Sequence, residues 1–356
     1  MATDMRRRGF LAGAVASVVA QPTWANAGSP ALLSALNDTN NNAWLVGLTR
    51  SGTVTFRLPI PGRGHAAAAH PSRPVAVAFA RRPGRFAVVI DCAEGVEAAR
   101  LSAPEGRHFY GHGAFTEDGR YLLTTENAFD DGQGRIGVWD AGDRFKRLDD
   151  LPSGGVGPHE ILRLPNGGFA VANGGIQTHP NSGRTRLNVP TMRTNLAFLD
   201  PWGAISNVVE APDTQRQNSI RHIDADAVGR IAIALQWQGD PRKRAPVAAM
   251  LNEQGLTYLE HPATMRLKHY GGSVAIAGNG QSFFVTGPKG DSVLSFDMDS
   301  GAPLAAYDMP LASGVATFGS GVAISSSSGI AAMTAEAKTQ LAGKVDGVWD
   351  NHLVRL

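Results

Sequence analysis

Short apolar runs recur along this chain in a fixed order, and that recurrence limits the fold more than any single motif. Each segment starts at a histidine or a small residue, runs for about six residues and reaches a Gly or Pro turn. A second run follows, then a loop. A third run ends near an aspartate and a glycine, as in VIDCAEG, VWDAG, FLDPWG and SFDMDSG, and a fourth leads to the next start. The starts fall at His65, His112, His159, His222, Ser273 and Val315, at intervals of 47, 47, 63, 51 and 42 residues. Four strands every forty to fifty residues is the pattern of a β-propeller blade. With an incomplete unit at 32–60, the six starts predict an all-β, seven-bladed β-propeller of four-stranded blades, with six or eight blades as the alternatives. The C-terminal VWDNHLVRL supplies a closing strand, so both chain ends would share one blade and leave no open sheet edge. Only TAEAKTQL, Thr334 to Leu341, reads as a helix.

The first residues read differently. Three arginines precede an apolar run from Phe10 to Ala20, which is too short to span a bilayer. Ala25-Asn26-Ala27 is a small-x-small cleavage signal, so residues 1–27 are expected to be an export peptide. Arg7-Arg8-Gly9-Phe10-Leu11 resembles the twin-arginine signal, which places a mature single domain, 28–356, in the periplasm. Without residues 1–27 the chain keeps 30 Lys+Arg against 30 Asp+Glu. That balance argues against nucleic acid or an anionic membrane surface as a partner. No membrane span is expected after signal removal. The single cysteine, Cys92, allows no internal disulfide and gives no haem-attachment or zinc-cysteine motif.

Spacing within the units places polar residues. The first strand of a blade lines the central channel and the second returns antiparallel to it. A separation of 14 is then a hairpin's round trip. Counting 14 from His112 gives Glu126, from His159 Asn173, and from His222 Gln236. The motifs RGH (63–65), GRHFYGH (106–112), GPHE (157–160) and SIRH (219–222) therefore collect at one face, together with the long insertion 173–195.

The stretches GHGAFTEDGRYLLTTEN, GGVGPHEILRLPNGGFAVANGGIQTHPNSGR, SIRH and VAVAFARRPG resemble the signatures of domain-of-unknown-function family 1513. The resemblance covers nearly the whole mature chain. It implies an exported single-domain bacterial protein, loosely associated with periplasmic iron and haem-peroxidase systems. It carries no activity and no site residues.

Candidate site residues follow from the spacing. His65, His112, His159 and His222 begin the inner strands of four consecutive units and are expected to form an arc at one channel mouth. Imidazole at that density suits a transition metal ion: copper, iron, zinc or manganese. Glu126, Glu160 and Gln236 would add oxygen ligands, and Asn173 and Arg221 would orient ligands or hold an anion from behind. WD repeats offer a competing reading, because their Gly-His pair is a purely structural hydrogen-bonding unit. Gly111-His112 followed by Trp139-Asp140 fits that spacing. His108, His179, His261, His269 and His352 show no comparable pattern and are left out. Three functions remain open: a metal-binding propeller handling iron or copper for a periplasmic partner protein, a metal-assisted lyase or lactone hydrolase acting on a sugar acid, and an interaction scaffold.

Overall fold

A computed structural model of the chain describes residues 21–81, 85–183, 185–334 and 337–356. The pair Arg7-Arg8, expected to belong to an export signal, lies outside these residues. The chain forms seven antiparallel sheets of four strands each, arranged as a ring. The inner strands are Gly64–Ala69, Arg107–Phe115, Pro158–Arg163, Asn218–Ala225, Ser273–Ile276, Val315–Phe318 and Gly347–Arg355. Each packs against the next, and the last packs against the first. The closing blade pairs the C-terminal strand Gly347–Arg355 with Leu32–Asp38, followed outward by Ala43–Leu48 and Val54–Ile60. Both chain ends thus meet in one sheet.

The sequence pattern explains the layering. The second strands, such as Ile231–Trp237 and Ser282–Gly287, are mostly apolar, and they are buried along their whole length because neighbouring blades cover both faces. Outer strands such as Val96–Leu101 are mostly exposed. Core clusters bridge adjacent blades: Val77, Phe79 and Val89 of one blade pack with Phe109, Leu122 and Trp139 of the next. The Asp-Gly endings of the third strands close their turns. Asp91, Asp200 and Asp297 each accept two backbone N–H groups from the turn that follows. Gly95, Gly203 and Gly301 take the positive φ that those turns require.

One expectation is corrected. The segment read as a helix contributes residues 338–341 to the strand Lys338–Ala342, the outer strand of its blade, paired to Gly329–Met333. Tertiary pairing overrides a helical propensity of a few tenths of a kcal/mol per residue. At the other end, Trp24–Ala27 forms a short 3-10 turn against the body, where Trp24 Nε1 donates to His70 O at 2.9 Å. No helix among the described residues is long and apolar enough to cross a membrane.

Candidate metal centre

Each histidine expected in the arc sits where its inner strand breaks register with the second strand. The break falls between Gly64 and Ala67 around His65, between Phe109 and Gly113 around His112, between Pro158 and Glu160 at His159, and between Ile220 and His222. Such bulges twist the strand and re-aim a side chain. The inner strands starting at Ser273 and Val315 carry no histidine, and their pairing is regular. The bulges turn the imidazoles into the channel, where they touch. Ring centroids are 5.0 Å apart for His65–His112, 4.9 Å for His112–His159 and 4.7 Å for His159–His222.

A fifth ring completes the cluster. His352 lies 4.4 Å from His65, 4.5 Å from His112 and 4.7 Å from His222. Sequence spacing alone does not single out His352, and the structure corrects this. Gly347–Arg355 is the inner strand of the closing blade, and its pairing also breaks register, opposite Ala35. The strand VWDNHLVRL was legible as a closing strand; giving it the innermost place would have put His352 at the position of the others.

The outward nitrogens of four rings are engaged. Nδ1 of His222 lies 3.2 Å from Glu160 Oε2, and Nδ1 of His112 lies 3.6 Å from Glu160 Oε1. Nδ1 of His65 is 3.1 Å from Asp350 Oδ1, whose other oxygen accepts from Arg81 at 2.7 Å. Nδ1 of His159 is 3.1 Å from Arg221 O. In His65, His159 and His222, donation from Nδ1 fixes the tautomer with the lone pair on Nε2, as in carboxylate–histidine–metal arrangements. Nε2 of His112 and Nε2 of His352 are buried with no partner among the described residues.

Burial is the main force on these groups. His65, His159 and His352 are held well below the ordinary imidazole range, first by burial and then by neighbouring positive charge, and His222 is lowered for the same first reason despite Glu160. Burial opposes ionisation of Glu160, but its contacts with His112 and His222 outweigh that and hold it well below the usual carboxylate value. Burial thus favours the neutral form of His65, His159, His222 and His352, the form that ligates metal. Three triads bring their ligand atoms within 4.8 Å of one another: His65, His112 and His159; His112, His222 and His352; and His65, Asp350 and His352. His112, His222 and His352, with Glu160 behind two of them, also line a channel cavity of about 530 Å³.

The remaining candidates are placed as follows. Glu160 supports the rings. Arg221 lies behind His159, and its Nε is 3.4 Å from Gln236 Oε1, while Gln236 Nε2 donates to Gly271 O. Asn173 is bound to Ser153 and Asn195 and holds the loops of its own blade together. Glu126 does not reach the histidines. Its carboxylate is fully buried within its blade, with both oxygens on Arg147 at 2.6 and 3.0 Å and Arg107 at 3.8 Å. The bulge explains the misplacement: Glu126 pairs with Phe109, not His112. The WD-type reading is met only in part. Trp139 Nε1 donates to Thr124 Oγ1 at 2.9 Å and Asp140 caps the following turn, while the His112 ring points into the cluster.

Residues 58–356 match the family described as Protein of unknown function (DUF1513). None of the curated proteins matches the chain. Among solved structures, the hydrazine synthase of Kuenenia stuttgartiensis is similar, with a TM-score of 0.63 at 14% identity over 82% of this chain and 88% of that one. A functionally unknown protein from Desulfotomaculum acetoxidans follows, with a TM-score of 0.51 at 13% identity over 83% and 85%. At these identities the likeness is one of fold.

Proposed function

Since the chain belongs to the DUF1513 family of proteins of unknown function, we propose from the site itself that it is a metal-binding β-propeller whose central histidines hold a first-row transition metal. One observation carries this reading. Three rings are hydrogen-bonded at Nδ1 from outside the cluster, a fourth has Nδ1 3.6 Å from Glu160, and two buried Nε2 atoms have no partner among the described residues. A purely structural cluster would leave each of those atoms at a cost of about 1–3 kcal/mol; a metal removes it. The ligands are His112, His222 and His352, with His65 and His159 beside them. Nitrogen-only donors favour copper, zinc or iron over magnesium or calcium. Three protein ligands facing a cavity leave a coordination position for an outside molecule. That opening also supports the enzymatic reading, a metal-assisted lyase or hydrolase acting on a sugar acid, beside metal handling for a partner. Export to the periplasm by the twin-arginine route is part of the proposal and rests on Arg7-Arg8 and the Ala25-Asn26-Ala27 signal. Elemental analysis of the protein purified from its own periplasm is the test. One equivalent of copper, iron, zinc or manganese is expected, and metal-free protein would count against the reading.

A further inference from the structure

The cavity bounded by His112, His222 and His352 extends away from them along the channel, past small residues such as Ala66, Ala68 and Ala114. It merges with a wider vestibule of about 850 Å³ at the far ends of the inner strands; Arg163, Thr317, Arg355 and Leu356 line both. On the histidine side, the five rings pack closely, edge to face or tilted, and residues 173–183 and 185–195 of the insertion lie on that same face, with Thr178 O accepting from Asn127 and Arg186 donating to Gln238. The open approach to the three rings is therefore through the vestibule.

Four arginines line that vestibule: Arg50, Arg163, Arg230 and Arg355. Arg230 is committed to Asp226 and Asp299. Arg50, Arg163 and Arg355 make no side-chain hydrogen bond or ion pair among the described residues. The acidic groups nearby are already engaged. Asp226 holds Arg230, and Asp224 accepts from Ile276 N at 2.7 Å and from Thr317 Oγ1 at 3.4 Å. Arg50 and Arg163, together with Arg355, whose charge also acts on buried Asp224, thus surround one concave mouth of a domain whose total charge is balanced. Low-dielectric walls focus such a field, and guanidinium forks match carboxylate and phosphate.

We propose that this mouth binds a small anionic ligand bearing carboxylate or phosphate groups, and that such a ligand reaches the histidine centre through it. The cavity volumes suit a small molecule, not a polymer. The binding half of the proposal stands without a metal; the delivery half rests on the metal-site reading.

The test separates the two. Citrate and inorganic phosphate are titrated calorimetrically into metal-free protein. The expected result is saturable binding of one equivalent of one probe, citrate marking a carboxylate ligand and phosphate a phosphorylated one. Arg163→Glu with Arg355→Glu should weaken it about 100-fold, since two charge-assisted contacts are lost. Arg163→Gln with Arg355→Gln should weaken it less. Lys268→Glu with Lys289→Glu, beside Trp237 and Tyr270 on the opposite face, should change it less than about 2-fold, because those charges lie beyond a screening length. Absence of binding by wild type, or an equal loss in the lysine variant, overturns the proposal. For delivery, azide is mixed with copper-loaded protein. At low salt its association should slow in the arginine-to-glutamate variant at unchanged copper content; equal rates overturn the delivery half. Failure of copper, zinc, iron and manganese alike to load overturns the metal reading alone.

Discussion

Glu160 Oε2 lies 3.2 Å from Nδ1 of His222, the inner-strand histidine of the next blade. The same carboxylate reaches His112 of the preceding blade at 3.6 Å and accepts from Ile223 N at 3.0 Å. One side chain therefore orients two rings. Glu160→Gln should preserve the fold and lower metal affinity about 10–100-fold, the range for groups that orient a ligating histidine. Competition against a chelator of known affinity measures it, and an unchanged affinity would remove Glu160 from the centre.

Glu126 makes the opposite prediction. It is buried against Arg147 and Arg107, which also meet Asp150. Glu126→Ala removes the buried carboxylate that both arginines share, leaves them only the half-buried Asp150, and should cost about 3–5 kcal/mol of stability. Metal affinity per folded molecule should not change. Urea unfolding and metal titration of the same variant distinguish this from a ligand role.

Metal-free protein should lose stability as pH falls below about 6.5. His65, His159, His222 and His352 have folded values beneath that ordinary value of 6.5. Between the two values the unfolded chain binds more protons, so stability rises with pH and is lost on acidification. Asp224, pushed up to about 6 by burial, acts the other way, but it is one group against six histidines, since His70 and His261 are lowered by burial as well. A melting temperature that falls from pH 7.5 to pH 5, and falls less in His159→Ala, is expected. Metal should be released over the same range, because protons compete for the ring nitrogens.

Export has its own test. Replacing Arg7 and Arg8 with Lys should strand a precursor in the cytoplasm, and undiminished export would show that the general secretory route is used. If cleavage follows Ala27, the mature protein loses the contact of Trp24 with His70 and one side chain from the channel wall.

The blades were legible because the hairpin pattern and the Asp-Gly turns repeat, and each turn is a local structure. The four-histidine arc was legible because inner strands start at corresponding positions. His352 was hidden because its strand is supplied by the opposite end of the chain from its three sheet partners, so no unit boundary precedes it. Glu126 was misplaced because counting 14 assumes an unbulged hairpin, and the bulge that aims His112 inward also shifts the pairing. The pairing of Nδ1 atoms with Glu160 and Asp350 crosses blades and has no sequence spacing at all. The strand at Lys338–Ala342 depends on a neighbour, which local propensity does not record.

The central claim is that His112, His222 and His352 together hold a transition metal. It is tested most directly by calorimetric titration of copper, zinc, iron and manganese into wild type, His222→Ala and His352→Ala, with thermal melts of each. Wild type should bind one equivalent of at least one metal, and each variant should bind it about 100-fold or more weakly, since losing a ligand costs at least as much as losing the group that orients it. Equal metal binding in all three proteins, or none in wild type, with lower melting temperatures in the variants, would contradict a metal centre and leave the histidines as fasteners between blades.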